Sequence, residues 1–341
     1  MKRETGPPAA LSERAIDAIF APLVDAKAIL LAVSGGPDST ALLLMAASWA
    51  GRRGGRPRLA AATVDHGLRA ESAEEARAVA ELCRSVGVPH HVLVWRGAKP
   101  KTRVQERARE ARYRLLTECA RAVGADVVAT AHHLDDQAET TLFRLLRGSG
   151  IGGLRAMAAR APRHGVTVAR PLLGLRKREL VAYCEAAGVA FARDPANDDP
   201  RYARARLRAL AGALAAEGLD APALARLARR AAQVEEALTR QADAAESRLR
   251  LVATAACDAR ALLQEPVEIA ERLIAAAIAK VGGKDPSRVG LEKIEALAQG
   301  LLSAVAANRA FSANVAGARV RLTAKGGLRV EPEPPRRRRD A

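Results

Sequence analysis

The segment LLAVSGGPDSTALLLM, Leu30 to Met45, breaks two apolar runs with Ser34, Gly35, Gly36, Pro37, Asp38 and Ser39. The glycines let the backbone approach an anion closely, and the Ser34 and Ser39 hydroxyls can donate hydrogen bonds. A helix starting near Ser39 would aim its N-terminal amides at the same place. The Gly-x-x-x-x-Gly-Lys spacing of a Walker A loop is absent, so any phosphate here rests on amides and hydroxyls, with an aspartate where a lysine is usual. Three residues, Ser-Gly-Gly, would by themselves equally suit a tight strand–helix turn.

A second constellation lies in TAHHLDDQAET, residues 130–140. His132, Asp136 and Glu139 fall at i, i+4 and i+7, so a helix beginning near Leu134 places both acids on one face with His132 at its threshold. Such a group could hold Mg²⁺ through carboxylate oxygens or take a proton from an amine. Capping by Asp135 or Asp136 is the plainer reading, but it explains one acid and not the histidine. Further along, RGSGIGG (147–153) has Gly148, Gly150 and Gly153 in a Gly-x-Gly-x-x-Gly match. It follows a helix and not a strand, so a mobile site loop fits better than a dinucleotide fingerprint, with Arg144 and Arg147 placed to face RNA. Arg103, Arg107, Arg109, Arg112 and Arg114 crowd one helix, where Glu106 and Glu110 would pair with most of them. His66 follows a strand and suits a supporting role.

These residues need elements to position them. AILLAV (28–33), RLAAATV (58–64), HHVLVW (90–95) and ADVVAT (125–130) read as buried strands. Helix-length segments fall near 39–50, 72–86, 104–123 and 135–146. Alternation of this kind predicts an α/β fold, a doubly wound, mainly parallel sheet with ligands beyond the carboxyl ends of its strands. A smaller, mainly helical domain follows: a long helix over 219–250, capped by Asp220 with Pro222 in its first turn, then helices near 264–281 and 288–305, with short strands at 317–323 and 327–331. The expected division is 1–215, 216–331 and a basic tail at 332–341.

The whole chain is compatible with that plan. Its 341 residues can bury a sizeable core, and 49% apolar with 27% charged residues is a globular composition. Fifty-five Lys and Arg against 38 Asp and Glu give a formal charge of +17, which suits a polyanionic partner such as nucleic acid. Cys83, Cys119, Cys184 and Cys257 form no Cys-x-x-Cys pair, so neither zinc nor an iron–sulfur cluster is expected, and free thiols in a reducing, cytoplasmic setting are. No run is long enough to span a bilayer.

The hexapeptide SGGPDS resembles the Ser-Gly-Gly-x-Asp-Ser signature of the PP-loop ATP pyrophosphatases. VDHGLRAESAEEA (64–76), ARYRLL (111–116), TAHHLDDQAETTLFRLLRGSGIGGLRAM (130–157), RPLL (170–173) and DPANDDPRYARARLR (194–208) follow in the order and approximate spacing of the tRNA(Ile)-lysidine synthetases. The resemblance covers most of residues 28–210. It implies that Ser34, Gly35, Gly36, Pro37, Asp38 and Ser39 bind ATP, with pyrophosphate on the loop amides and Asp38 at its edge. It implies catalytic roles for Asp38, His132, Asp136 and Arg112, Mg²⁺ at Asp38 and Asp136, and phosphate or adenylate contacts at Arg204 and Arg208. Ala196 and Ala205 depart from the family's Ser and Asn.

The implied activity is a ligase: Mg·ATP adenylates the 2-carbonyl oxygen of the wobble cytidine in tRNA(Ile) with a CAU anticodon, and L-lysine displaces AMP to form lysidine. The second domain would then grip tRNA, and a homodimer stays open. Two rivals are weaker. A PP-loop thiolase would commonly carry Cys-x-x-Cys pairs, and an amidotransferase-type synthetase would bring a glutaminase or a free-nucleotide pocket. A non-catalytic RNA-binding protein would leave the loop and the His/Asp helix without purpose.

Overall fold

The computed structural model describes residues 11–65, 72–96, 104–192, 203–283 and 290–334. His66, Arg103, Ala196 and the tail from residue 335 lie outside the described residues, and for Arg204 only the backbone is described. The chain forms two compact units, Met1–Ser149 with Gly153–Arg229, and Gly150–Gly152 with Arg230–Ala341.

The first unit runs α1 (Glu13–Phe20), β1 (Ala28–Ala32), α2 (Pro37–Arg52), β2 (Arg58–Asp65), α3 (Ser72–Ser85), β3 (His90–Val94), α4 (Val104–Ala122), β4 (Val127–Ala129) and α5 (Leu134–Leu145). After the short α6 (Ile151–Leu154) come β5 (Arg160–Arg163), β6 (Val166–Ala169), α7 (Lys177–Ala186), α8 (Ala203–Ala216) and the first turns of α9 (Ala221–Leu249). The sheet order is β3-β2-β1-β4-β6-β5, parallel except for the antiparallel edge pair β5–β6. This is the doubly wound plan expected, and the four anticipated strands occupy its centre and one edge. The β5–β6 hairpin is new. Its strands are four residues each, RAPR and VTVA, too short to show alternation, and the first carries two arginines and a proline.

All five residues of β1 are buried. The two-residue period sends Ile29 and Leu31 to a core with Phe20, Leu42, Leu43 and Trp49, and Leu30 to the opposite face with Tyr113, Leu116 and Ala120 of α4. A strand covered on both faces must be apolar throughout, as β1 is. Phe20 and Trp49 stack with centroids 5.1 Å apart, tying α1 to α2.

The second unit contains the rest of α9, α10 (Leu251–Thr254), β7 (Ala256–Asp258), α11 (Ala259–Leu262), α12 (Val267–Gly282), α13 (Leu291–Ala306), β8 (Phe311–Val315), β9 (Ala318–Leu322) and β10 (Gly327–Pro332). Four antiparallel strands in the order β7-β10-β9-β8 cover α12 and α13 through Val320, Leu322, Leu328 and Val330. Asp220 caps α9 as anticipated, its Oδ1 accepting from the Ala223 amide at 2.9 Å. The units part at Arg229/Arg230, inside α9, fourteen residues beyond the division read from composition. Among the described residues, no helix is long and apolar enough to cross a membrane.

Candidate active site

Strands β1 and β4 are parallel neighbours, so the loops leaving their carboxyl ends lie side by side, and each leads into a helix. The Asp38 and His133 groups sit at those two helix starts. The first is the SGGPDS loop. Gly35 has φ +84, a left-handed conformation that an L side chain resists, and a Cβ there would approach Val79 Cγ2 to 3.3 Å. Gly36 is the N-cap and α2 begins at Pro37, two residues earlier than Ser39, because proline has no amide to lose at a first helical position.

Ser39 is buried. Its Oγ donates to Gly36 O at 3.0 Å and accepts from the Ser34 amide at 3.0 Å, so this hydroxyl shapes the loop from within. Ser34 is exposed, with its Oγ 3.2 Å from Ser39 Oγ. Beneath the loop, the buried Cys184 thiol lies 3.4 Å from Pro37 O. The loop therefore ends at the N-terminus of α2, and Asp38 stands in that first turn.

The second helix start is that of α5. Its N-cap is His133, which the sequence reading passed over in favour of His132. The His133 ring is buried, 4% exposed, and Nδ1 accepts from the Asp136 amide at 3.4 Å, while Asp136 Oδ2 accepts from the His133 amide at 3.0 Å. This is a reciprocal capping box with histidine in the place usually held by Ser, Thr or Asp. The ring's Nε2 lies 3.5 Å from Asp38 Oδ2 and 3.5 Å from Asp136 Oδ2. Burial opposes the imidazolium, but the hydrogen bond to Asp38 and the charges of Asp136, Asp38 and Asp135 outweigh it, so the His133 pKa is raised above 6.5.

His132 sits beside it, half-buried, with Nδ1 2.8 Å from Thr130 Oγ1. Asp135 turns to α7: its Oδ2 accepts from the Lys177 amide at 2.7 Å, and Arg176 Nε is 3.5 Å from its Oδ1. Glu139 is held by Arg208 of α8, with Nε on Oε1 at 2.5 Å and Nη2 on Oε2 at 3.1 Å. Asp136 and Glu139 do share α5, but both oxygens of Glu139 are engaged, and Arg208, expected at phosphate or adenylate, is its partner.

Arg112 is half-buried on α4, and no hydrogen bond or ion pair to it is found among the described residues. Arg109 lies over the ring of Tyr113 at 5.2 Å. Glu110 pairs with Arg163 and His164 of the β5–β6 hairpin. Arg144 donates through Nη1 to Gly153 O at 2.5 Å and to Ala156 O at 3.2 Å, bracing the glycine-rich turn. Gln137 adds a clamp on both backbone polar groups of Met157 at 2.8 Å. Arg147 lies over Phe143 at 4.1 Å on the exposed end of α5. Asp38 Oδ1 is buried and has no hydrogen-bond partner among the described residues.

Comparison with known proteins agrees with this geometry. Residues 8–213 match the family model of the PP-loop domain. A tRNA(Ile)-lysidine synthase of a Bradyrhizobium species is 47% identical, covering 96% of both chains. That of Rhodopseudomonas palustris is 49% identical over 94% of this chain and 95% of its own. The solved structure of the U34-tRNA thiolase NcsA from Methanococcus maripaludis, with its [4Fe-4S] cluster, covers 64% of this chain and 77% of its own at 16% identity and TM-score 0.53, a likeness of fold. With a PP-loop domain over most of its first unit and near-full-length relatives close to half identical, the chain belongs to the tRNA(Ile)-lysidine synthase family.

Proposed function

We propose that the chain joins L-lysine to the 2-position of the wobble cytidine of tRNA(Ile) with a CAU anticodon, using ATP and releasing AMP and pyrophosphate, in the cytoplasm. The observation that carries the reading is the convergence of Asp38, on an anion-binding helix start, with Asp136 on the next, through one buried histidine. A loop of amides without a lysine favours pyrophosphate as the departing group, since helix-start N–H groups stabilise charge as it develops. The chain's charge of +17 favours RNA as the second substrate.

Mg²⁺ fits these residues. Asp38 Oδ1 is a buried oxygen without a partner among the described residues, Asp136 is a second carboxylate, and Mg²⁺ is commonly held by one or two carboxylates together with substrate phosphates. When bound it would neutralise charge on the phosphates as the α–β bond of ATP breaks.

The protein's own groups account for the rest. The amides following Gly35 and the N-terminus of α2 hold the β- and γ-phosphates while the cytidine 2-oxygen attacks the α-phosphorus. Asp136 uses Oδ2 for the cap, which leaves Oδ1 to take the proton from the lysine ε-amine as it attacks the activated carbon and AMP leaves. Glu139, neutralised by Arg208, shapes the surroundings and does not act as that base. Arg112, half-buried and unpaired among the described residues, supplies positive charge for a phosphate.

The test is incubation with tRNA, ATP and labelled lysine, following AMP, pyrophosphate and label in RNA. Lysine-dependent AMP release with label in tRNA(Ile) is expected; turnover without lysine, or none, removes the reading. Asp38→Asn and Asp136→Asn should each abolish tRNA-dependent ATP cleavage while leaving the melting temperature near that of the wild type.

A further inference from the structure

His133 does two jobs with its two nitrogens. Nδ1 accepts the Asp136 amide as the N-cap of α5. With Nδ1 an acceptor, the neutral ring carries its proton on Nε2, the nitrogen 3.5 Å from Asp38 Oδ2 and from Asp136 Oδ2. Capping alone needs one acceptor atom, which Ser, Asp or Asn supplies with less bulk. The ring is 4% exposed, so water does not stand in for it. Among the described residues, His133 is the one ion-pair or hydrogen-bond partner found for the Asp38 carboxylate, at Oδ2, while Oδ1 has none.

We propose that His133 is a positioning residue for ATP cleavage: its Nε2–H, shared between Asp38 Oδ2 and Asp136 Oδ2, sets the spacing of the two carboxylates and keeps Asp38 Oδ1 open for the ligand. Asp38 rides on α2 and Asp136 on α5, two helices anchored to different strands. Among the described residues, the imidazole is the side chain found within 3.5 Å of both carboxylates. His132, the neighbour with the more obvious sequence position, has Nδ1 committed to Thr130. A shift of about 1 Å in such a carboxylate can lower turnover roughly a hundredfold without changing what binds.

The inference rests on the assignment of Asp38 to ATP cleavage, and two substitutions separate the nitrogens. In His133→Asn the side-chain oxygen takes the place of Nδ1 and caps α5, but nothing reaches Asp38. In His133→Gln the amide NH₂ takes the place of Nε2, but the cap acceptor is lost. Steady-state kinetics with tRNA and ATP, and melting temperatures, are measured for both beside Asp38→Asn.

His133→Asn should keep the melting temperature and the KM for ATP near wild type while kcat falls roughly a hundredfold. His133→Gln should melt lower yet recover about a tenth or more of the lost turnover. Wild-type-like kcat in His133→Asn beside an inactive Asp38→Asn would overturn the proposal and leave the Asp38 assignment standing. Wild-type-like turnover in Asp38→Asn would remove both.

Discussion

Among the described residues, the Asp38 carboxylate has one hydrogen-bond or ion-pair partner, His133, and one buried oxygen with none. Glu139 shows the contrast. It is 14% exposed and its two oxygens meet a planar guanidinium, an arrangement that satisfies the carboxylate within the fold. Removing Arg208 leaves that acid without its partner, so Arg208→Ala should lower stability by about 3 kcal/mol, read by urea unfolding. Arg208→Lys should recover part of this, because an ammonium restores the charge but not the paired geometry. His133 was the residue hardest to find in the sequence. The spacing argument picked His132, since i, i+4 and i+7 counts from it, whereas the cap of a helix starting at Leu134 is the residue immediately before it. The signal lay in the H-x-x-D pattern, His133 to Asp136, which is a capping box once histidine is admitted as a cap.

At the level of elements, β1 and β4 were legible because a strand buried on both faces is an apolar run bounded by turns, whereas β2 runs one residue past its stretch to Asp65 and β3, read as buried, is a half-exposed edge strand. The hairpin β5–β6 and the strands β7 and β8 were not, since they are only three to five residues long, too short for a clear alternation. The SGGPDS segment does join a buried strand to a helix, which starts at Pro37, earlier than expected. Its geometry makes a direct prediction. Gly35→Ala forces an alanine to φ +84 and toward Val79, so it should cost about 1–2 kcal/mol and weaken ATP binding measured by calorimetry. In the second unit a Cβ on Gly282 would lie 2.5 Å from Ala316 O, a backbone atom that cannot step aside. Gly282→Ala should therefore destabilise that unit by about 1–3 kcal/mol, seen as a lower thermal midpoint, while leaving the β1–β4 site intact.

For the molecule as a whole, charge and thiols set the solution behaviour. A surplus of +17 makes tRNA affinity depend steeply on salt, falling roughly a thousandfold between about 50 and about 200 mM if six phosphates are contacted. Binding that ignores salt would show that the surplus lies away from the RNA. Burial pushes Cys83 up to about 11, and burial, with the charges of Asp38 and Glu185, does the same to Cys184. A raised thiol pKa favours the neutral form in the fold, so the stability it contributes is intact below the unfolded value near 8.5 and is lost as pH rises toward 11. Denaturation at pH 8 and pH 10.5 should show that loss, and native Cys184 should resist alkylation at pH 8.

Helix α9 carries a consequence for how such a chain can be inherited. Leu224, on the first turns of α9, is buried with Ala138 and Leu142 of α5 and Leu207 of α8. The back of the helix that presents Asp136 is thus sealed by residues that composition assigns to the second domain. A recombination joint at residue 216 would separate α5 from part of its own apolar cover. A joint past Arg229 would carry those turns along, so the transferable module is longer than the catalytic motifs suggest and ends in the middle of a helix.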